Sequence, residues 1–221
     1  MKNQVKKTVN LYQYEEELED RGYKYVAGVD EVGRGPLAGP VVVAAVILPQ
    51  NTRIKGINDS KKLSLKKREE LYKQIMKEAV SVSIAYVYED VIDEINIYEA
   101  TKRGMLEAIM KLDVKPDHVL IDAMPLHELE IEHTSIIHGD ALSASIGAAS
   151  IVAKVTRDHY MEKMDFKYPN YGFARHKGYC TKVHLEALEK YGPCQIHRKS
   201  FAPVAKYYNK QIAFDFKKEE K

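Results

Sequence analysis

Eight consecutive apolar residues, VVVAAVIL, run from Val41 to Leu48. Successive side chains of a β-strand point to opposite faces of the sheet, so a strand of this composition is apolar on both faces. Such a strand is stable only inside a sheet that is covered on both sides. The run is also far shorter than the roughly 20 apolar residues that span a membrane as a helix. It therefore predicts a buried central strand in a soluble domain.

Four more segments have the short, valine-rich or alternating composition of strands. They are Tyr25–Asp30, Ser81–Val87, His118–Asp122 and Thr134–Ile137. Helical patterns separate the later ones: Ser64 is the expected N-cap of a helix whose inner face carries Leu71, Ile75 and Met76, and 91–112 has one long helical pattern. Adjacent strands followed by strands alternating with helices predict a mixed α/β sheet with helices on its faces.

Composition suggests three parts, a short lead-in over 1–24, an α/β domain over 25–165 and a helical, basic, tyrosine-rich segment over 166–221. From Lys167 to Lys210 there are nine basic residues, two acids and six tyrosines, and from Arg53 to Arg68 seven basic residues and one acid. Basic segments interleaved with aromatic residues fit a polyanion that offers phosphates and flat bases or sugars. An ordinary solvated surface is the alternative interpretation.

Cysteine usage and the amino terminus bear on the compartment. Cys180 and Cys194 form no CxxC pattern, and the first residues contain no apolar core typical of a signal peptide. We therefore expect a soluble cytoplasmic protein without a membrane segment, with both thiols reduced.

Acidic residues stand where predicted strands end. Asp30 and Asp122 directly follow apolar strand residues, and Asp140 comes shortly after the fifth strand. Ligands of open α/β sheets collect beyond the carboxyl ends of the strands, where such acids converge if the strands are parallel neighbours. Glu31 can face the same site as Asp30 only if the strand bends between them. The glycines at 33 and 35 allow such a bend at a low cost in free energy.

Three or four carboxylates with no histidine or cysteine beside them suit a hard cation, Mg²⁺ or Mn²⁺, rather than zinc. A cation would also relieve the repulsion between the clustered acids. Each acid taken alone is equally consistent with an ordinary turn or cap residue. The residues by themselves thus predict a metal site in an α/β domain.

Six segments together resemble the ribonuclease HII family, the type 2 ribonucleases H. They are GVDEVGRGPLAGPVVVAAVIL, NDSKKLS, VLIDA, HGDALSASIGAASIVAKVTRD, YGFARHKGYCTKVH and GPCQIHRKSF, in the family's order and spacing from about Tyr25 to Val204. The resemblance implies an RNase H-like fold with a five-stranded mixed sheet and a small C-terminal helical appendage. It also implies cleavage of the RNA strand of RNA–DNA hybrids and incision at single ribonucleotides in duplex DNA, with Mn²⁺ or Mg²⁺.

The resemblance also assigns residues to roles. Asp30, Glu31, Asp122 and Asp140 match the family's four catalytic, metal-binding carboxylates. Gly33, Arg34 and Gly35 match the motif that reads the RNA–DNA junction, and Tyr179 matches the tyrosine that packs beneath the sugar on the DNA side.

The chemistry of phosphodiester hydrolysis agrees with these roles. Two cations roughly 4 Å apart activate water and stabilise the leaving oxygen. We hypothesise that Asp30, which ends the central strand, bridges both ions and that the other three acids complete their shells. The expected products are a 3′-hydroxyl and a 5′-phosphate, with incision on the 5′ side of the ribonucleotide.

Several basic residues are predicted to contact phosphates of the substrate. They are Lys61, Lys62, Arg157, Lys177 and Arg198. An ordinary solvated helix position is the alternative for Arg157. His176, His184 and His197 are separated by gaps of 8 and 13, which fit no usual zinc spacing, so we interpret them as packing residues or phosphate contacts.

The tail QIAFDF, Gln211–Phe216, has the glutamine, apolar and aromatic spacing of a peptide that docks on a replication sliding clamp. The apolar face of a final helix is the alternative interpretation. We expect the protein to act as a monomer.

Three rival functions stay open at this point. A DNA junction or transposase-type nuclease of the same superfamily also uses clustered acids but needs no group that reads a 2′-hydroxyl. The related ribonuclease HIII family carries an additional substrate-binding domain, for which the short amino-terminal lead-in leaves no room. A non-catalytic nucleic-acid-binding module would not require four acids, which repel phosphate unless a metal is bound.

Overall fold

The protein is described by a computed structural model, which covers residues 10–57 and 63–208. Its strands are β1 (Val26–Val32), β2 (Val41–Ile47), β3 (Ser81–Val87), β4 (His118–Asp122) and β5 (His133–Ile136). They form one sheet in the order β3-β2-β1-β4-β5, in which β1, β4 and β5 are parallel. The predicted mixed five-stranded sheet is confirmed.

Helices lie before, between and after the strands. They are α1 (Gln13–Asp20), α2 (Leu65–Glu78), α3 (Glu89–Met110), α4 (Ala144–Lys167), α5 (Phe173–His176), α6 (Lys182–Tyr191) and α7 (202–208). A 3₁₀ turn, Gly139–Ala141, separates β5 from α4. Within the described ranges, no helix combines the length and the apolar composition that crossing a bilayer requires.

Strand β2 confirms the prediction from its composition. Every residue from Val41 to Ile47 is buried, with no exposed surface. Because side chains alternate between the faces, this burial means that both faces of the sheet are covered at β2. By contrast, the edge strand β3 alternates between buried and half-buried residues.

Helix α2 begins as predicted but buries a narrower face. The Ser64 side chain accepts a hydrogen bond from the Lys67 N–H, and Leu71 and Ile75 are fully buried. The prediction for Met76 was wrong, because this residue is 43% exposed. It lies one residue beyond the i, i+4 stripe formed by the two buried residues, about 100° further around the helix.

Helix α3 is interrupted where the sequence predicts one continuous helix. Asn96 has a positive φ of 68° with ψ of 167°, a conformation outside the helical region. Its side-chain Oδ1 accepts hydrogen bonds from the N–H groups of Tyr98 (2.9 Å) and Glu99 (3.2 Å). Asn96 therefore ends one helical segment and caps the start of the next, a position that asparagine fills well.

The chain divides into two compact units that are discontinuous in sequence. The first takes Met1–Asp30, Ala44–Ile84 and Ala108–Val152, and the second takes Glu31–Val43, Ala85–Glu107 and Ala153–Lys221. The sequence-based boundaries at 24 and 165 follow composition rather than packing, and they stay a prediction.

Candidate active site

Two of the predicted acids lie at the same level of neighbouring strands. Val29 of β1 is paired with Ile121 of β4 in parallel register, and Asp30 and Asp122 are the next residues along each strand. Neighbouring strands are about 5 Å apart, so the two backbone positions are close. Asp30 is 5% exposed and Asp122 is half-buried.

The third acid is held beside them by a turn. The Gly139 N–H donates to Asp122 Oδ1 at 2.7 Å, which places Asp140, the next residue, beside the end of β4. A Cβ at Gly139 would lie 2.6 Å from Ile146 Cδ1 and 3.3 Å from Asp122 Oδ1, so a larger residue here would require the Ile146 side chain to shift. Asp30 and Asp122 thus lie at adjacent positions of β1 and β4, and Asp140 lies in the turn that is bound to Asp122. We name these three acids the acid edge.

A residue that the sequence analysis did not select supports this edge. Glu15 of α1 is 7% exposed, and its Oε1 accepts hydrogen bonds from Ser143 Oγ at 2.6 Å and from the Ser145 N–H at 2.9 Å. The Ser143 N–H in turn donates to the Gly139 carbonyl at 2.8 Å. Glu15 therefore connects α1 to the start of α4 and to the turn that carries Asp140, where its charge also complements the helix dipole.

The acid edge fits a hard divalent cation in its chemistry, because every donor is a carboxylate oxygen. In the described part of the chain, however, no three His, Cys, Asp or Glu side chains are already gathered closely enough to hold a metal ion. Like charges at this spacing repel one another until a cation is present. The fold thus places these acids at neighbouring positions without forming a closed ligand shell.

Glu31 follows Asp30 in β1 and begins the second unit. Its Oε1 lies 3.4 Å from Arg34 Nη1, in an ion pair whose acid side chain is 12% exposed and whose arginine side chain is 44% exposed. The Arg34 guanidinium is therefore partly exposed to solvent while it pairs with Glu31.

Residues 33–40, which we name the junction loop, leave β1 through a glycine that the structure requires. Gly33 has a φ of 97°, and a Cβ there would lie 2.3 Å from Arg157 Nε and 2.7 Å from the Pro40 carbonyl oxygen. Backbone strain and steric overlap both exclude other residues at this position. Gly35 has no such restriction, since a Cβ would meet only the Tyr179 ring, at 3.7 Å.

Two fully buried arginines hold the junction loop from inside. Arg157 donates from Nε to the Pro40 carbonyl at 3.0 Å and from Nη2 to the Ala38 carbonyl at 3.0 Å. Arg198 donates from Nη1 to the Arg34 carbonyl at 2.9 Å and from Nε to the Gly39 carbonyl at 3.0 Å. Each guanidinium thus replaces the water that these loop carbonyls would otherwise bind.

This placement corrects the phosphate role predicted for Arg157 and Arg198. Both residues have no exposed surface, and their N–H groups point to backbone carbonyls of the protein. A guanidinium in this position cannot contact a phosphate. Their role in the structure is to shape the loop.

Burial of these charges shows in the pKa values. Desolvation lowers the pKa of Arg157 to about 10 and that of Arg198 to about 9, so both stay charged at neutral pH.

Glu89, at the start of α3, is 8% exposed, and desolvation raises its pKa to about 7. Its Oε1 has no hydrogen-bond partner among the described residues. The two arginines favour the charged form of Glu89, but this effect is smaller than the desolvation.

Tyr179 and Gly35 lie side by side, as a shared role at a junction requires. The Tyr179 residue is 43% exposed, and its ring is the nearest group to the position that a Gly35 Cβ would occupy. Lys177, two residues before Tyr179, forms an ion pair with Glu162 at 2.7 Å, and its carbonyl accepts from Arg157 Nη1 at 2.9 Å.

Lys61 and Lys62 lie outside the described residues, as does the tail Gln211–Phe216, so their predicted roles stay predictions.

Comparisons with known proteins agree with the fold. The family model for ribonuclease HII matches residues 27–204. The chain belongs to the ribonuclease HII family. The ribonuclease HII of Bacillus licheniformis is 59% identical over 191 residues, which are 86% of this chain and 74% of that protein. Membership of this family makes the chain a type 2 ribonuclease H, an enzyme that hydrolyses nucleic acid.

Two archaeal structures share the fold. Ribonuclease H2 from Pyrococcus horikoshii OT3 matches with a TM-score of 0.73 and 28% identity over 84% of this chain and 98% of that chain. A ribonuclease HII from Archaeoglobus fulgidus, solved in complex with PCNA, matches with a TM-score of 0.70 and 29% identity over 80% of this chain and 95% of that chain. These matches confirm the RNase H-like fold that the sequence motifs imply.

Proposed function

We propose that this ribonuclease H hydrolyses the RNA strand of RNA–DNA hybrids and incises duplex DNA on the 5′ side of a single embedded ribonucleotide. The products are a 3′-hydroxyl and a 5′-phosphate. The observation that supports this most directly is the position of Gly35 next to the exposed ring of Tyr179, in a loop whose carbonyls are bound by two buried arginines.

The chain must distinguish ribose from deoxyribose through the 2′-hydroxyl, which both donates and accepts a hydrogen bond. Gly33 and Gly35 leave backbone N–H and C=O groups of the junction loop open to close approach by a sugar. Arg34, exposed between them, holds the adjacent phosphate. The Tyr179 ring covers the apolar edge of the following deoxyribose, which has no 2′-hydroxyl. This combination selects a ribonucleotide followed by DNA.

Asp30, Glu31, Asp122 and Asp140 are the residues that would hold a pair of divalent ions, Mn²⁺ or Mg²⁺. Such ions supply activation of water and relief of negative charge on the attacking and leaving oxygens. Within the protein, the Gly139 N–H fixes one oxygen of Asp122, and Glu15 fixes the turn that presents Asp140. The chain's own contribution is to bring negative oxygens to one sheet edge at fixed backbone positions.

A cleavage assay with three matched substrates tests the proposal. They are a DNA duplex with one ribonucleotide, the same duplex made entirely of DNA, and a continuous RNA–DNA hybrid, each incubated with Mn²⁺, with Mg²⁺ or with EDTA. We expect incision 5′ of the ribonucleotide, cleavage of the hybrid and an intact DNA duplex, with no product in EDTA. Equal cleavage of the all-DNA duplex would instead support a junction or transposase-type nuclease. Binding of hybrid without turnover under any metal condition would support a non-catalytic module.

Activity should also fall as salt rises, because exposed basic residues release counterions when they bind phosphates. Lys61, Lys62 and Lys177 stay candidates for these contacts, together with Arg34. Replacing Lys177 with Ala also removes its ion pair with Glu162, so Glu162→Gln is the matched control for that change.

We also propose that Gln211–Phe216 docks on the sliding clamp. The support is the spacing of its residues and the archaeal relative that was solved with PCNA. Truncation after Lys210 should abolish clamp binding in a pull-down and leave cleavage of naked substrate unchanged. Clamp binding by the truncated chain would contradict this assignment.

Monomeric action in the cytoplasm completes the proposal, and the free thiols of Cys180 and Cys194 are consistent with a reducing compartment.

A further inference from the structure

Three histidines of the second unit are buried, and the proposed chemistry does not use them. His176 is 9% exposed, His184 has no exposed surface and His197 is 1% exposed. The rings pack around Phe173, at centroid distances of 5.9, 5.5 and 5.7 Å in the same order. Burial excludes direct phosphate contact, so the packing interpretation from the sequence analysis is the one that fits.

The hydrogen bonds of His184 fix the position of its proton. His184 Nδ1 lies 2.9 Å from the Tyr179 carbonyl oxygen, and a carbonyl only accepts, so Nδ1 carries the hydrogen. In the neutral ring Nε2 is then an acceptor. Its neighbour at 2.9 Å is His197 Nε2, which must therefore donate.

The other end of the chain of contacts leads independently to the same assignment. The Cys194 N–H donates to His197 Nδ1 at 2.9 Å, and a backbone N–H only donates, so Nδ1 of His197 is the acceptor and Nε2 carries its hydrogen. The Cys194 carbonyl, 3.2 Å from the same Nδ1, already accepts from the His197 N–H at 3.0 Å. The direction therefore runs without conflict from Cys194 through His197 and His184 to Tyr179, and we name these two rings the histidine relay.

His176 completes the support of the same backbone. Its Nδ1 accepts from the Gly178 N–H at 3.2 Å, its Nε2 donates to the Tyr171 carbonyl at 2.7 Å, and its own carbonyl accepts from the Tyr179 N–H at 2.9 Å. Gly178 is pressed against the junction loop, since a Cβ there would lie 2.4 Å from the Ala38 carbonyl oxygen.

The relay requires neutral rings, and their environment provides them. Burial lowers the pKa of His184 and of His197 to about 4. An added proton would place two N–H groups face to face at the 2.9 Å contact between the rings. At neutral pH the relay is therefore a fixed, uncharged hydrogen-bond chain that ends on the backbone of an exposed residue.

We propose that His184, oriented by His197, is a positioning residue that sets the angle of the Tyr179 ring and so determines preference for a ribonucleotide followed by DNA. This inference rests on the proposed role of Tyr179. The Tyr179 N–H donates to the His176 backbone carbonyl, and the Tyr179 carbonyl accepts from the Thr181 N–H at 2.8 Å and from His184 Nδ1 at 2.9 Å. The His184 imidazole is thus the side chain that fixes this carbonyl, and with it the direction in which the exposed Tyr179 ring leaves the backbone. Both rings act through Tyr179 and are not in contact with the reacting phosphate.

Two substitutions at one position separate this role from general stability. In His184→Asn the amide nitrogen takes the place of Nδ1 and still donates to the Tyr179 carbonyl. In His184→Gln the amide reaches the Nε2 position toward His197, and the Tyr179 carbonyl loses its side-chain donor and keeps only the Thr181 N–H, at 2.8 Å. Both variants remove a buried ring, so both lose stability.

The readout is the ratio of kcat/KM on the single-ribonucleotide duplex to kcat/KM on the continuous hybrid. Loss of folded protein lowers both values equally and leaves the ratio unchanged. We expect His184→Gln to lower the ratio about tenfold, toward the value of Tyr179→Ala, because small misplacements of a positioning group cost this much. His184→Asn should retain most of the ratio, and His159→Gln, at an exposed histidine of α4, should retain all of it.

A second measurement does not depend on activity. Nitrogen chemical shifts of the imidazole rings report which nitrogen carries the proton, and we expect Nδ1 for His184 and Nε2 for His176 and His197. A proton on Nε2 of His184 would overturn the relay. If Tyr179→Ala lowers the ratio and His184→Gln does not, the positioning role is wrong while the proposed function stands. If Tyr179→Ala leaves the ratio unchanged, the proposed role of Tyr179 fails and the inference about selectivity fails with it.

Discussion

The acid edge and the junction loop are stabilised in different ways. At the acid edge, Asp30 and Asp122 are placed by strand register, and one backbone N–H, from Gly139, fixes an oxygen of Asp122. In the junction loop, carbonyls that follow one another in sequence are bound by the side chains of Arg157 and Arg198, and the Gly178 carbonyl accepts from the Leu37 N–H at 2.8 Å.

The contrast matches what each region contacts in the proposed function. Carboxylates that bind a cation need only to reach the same edge, because the cation itself supplies the energy that draws them together. A backbone that reads a sugar must already have its shape, because each misplaced N–H or C=O weakens binding of the correct sugar. The first region therefore depends on its ligand and the second on buried side chains of the protein.

The largest expected effect comes from Asp30→Asn. Loss of one charge at the centre of the acid edge should lower turnover by at least about 10³-fold, since electrostatic groups at reacting centres contribute on this scale. Affinity for the hybrid, measured by fluorescence anisotropy in Ca²⁺, and the urea midpoint should change little. Asp20→Asn, at an exposed acid at the end of α1, is the control. Normal turnover of Asp30→Asn would refute the role of the acid edge.

Gly33→Ala should destabilise the protein at the junction loop. A Cβ at this position combines a left-handed φ with overlap against Arg157, and we expect about 3 kcal/mol of lost stability. Gly35→Ala should keep stability within about 0.5 kcal/mol, since it has room for a Cβ, yet lose cleavage at the junction. Urea unfolding of both variants checks the difference. Equal stability losses would show that the two glycines are not used differently.

Glu15→Gln tests whether the lead-in helix belongs to the acid edge. The amide replaces a buried carboxylate that accepts two hydrogen bonds at the start of α4, and we expect a loss of about 1.5 kcal/mol in the free energy of unfolding. The concentration of Mn²⁺ needed for binding, measured by calorimetry, should also rise. Glu17→Gln, at an exposed position of the same helix, should change neither quantity. No difference between the two variants would contradict the connection between Glu15 and Asp140.

A further effect concerns the dependence of stability on pH. His184 and His197 have folded pKa values of about 4 against an ordinary 6.5, so the unfolded chain binds more protons between these values and stability falls as pH falls through them. Glu89 has the opposite effect on stability. Its pKa in the folded protein is raised from 4.5 to about 7, so its contribution to the free energy of unfolding is present at low pH and is lost as pH rises from 4.5 to 7.

Glu89→Gln removes only the second of these contributions. Between pH 4.5 and 6.5 the free energy of unfolding should therefore rise with pH more steeply in the variant, by about 1.4 kcal/mol per pH unit for one proton. Urea unfolding across this range measures the slope for wild type and variant. Parallel curves would show that Glu89 is ionised normally in the folded protein.

The features that were predicted correctly depend on short segments of the sequence. The alternation and composition of Val41–Ile47 and Ser81–Val87 predicted the strands, and the position of Asp122 at the end of β4 followed from where its apolar run stops. The motifs gave the family, because their order and spacing occur together. Periodicity was less reliable for the buried face of α2 and for the continuity of α3. Met76 is exposed, and α3 is interrupted at Asn96.

The sequence by itself therefore determined the sheet, the family and the end of β4 at Asp122, since these depend on side-chain alternation and on short-range order. Strand β1 continues two residues past Asp30, and Asp140 lies in a 3₁₀ turn after β5. Only the tertiary structure decided that Arg157 and Arg198 point inward at backbone carbonyls. The same holds for Glu15 at the start of α4 and for the proton positions of His184 and His197. Residues far away in sequence decide whether a polar side chain is exposed to water or buried against a partner. A charged residue therefore looks the same in the sequence whether it is exposed or buried.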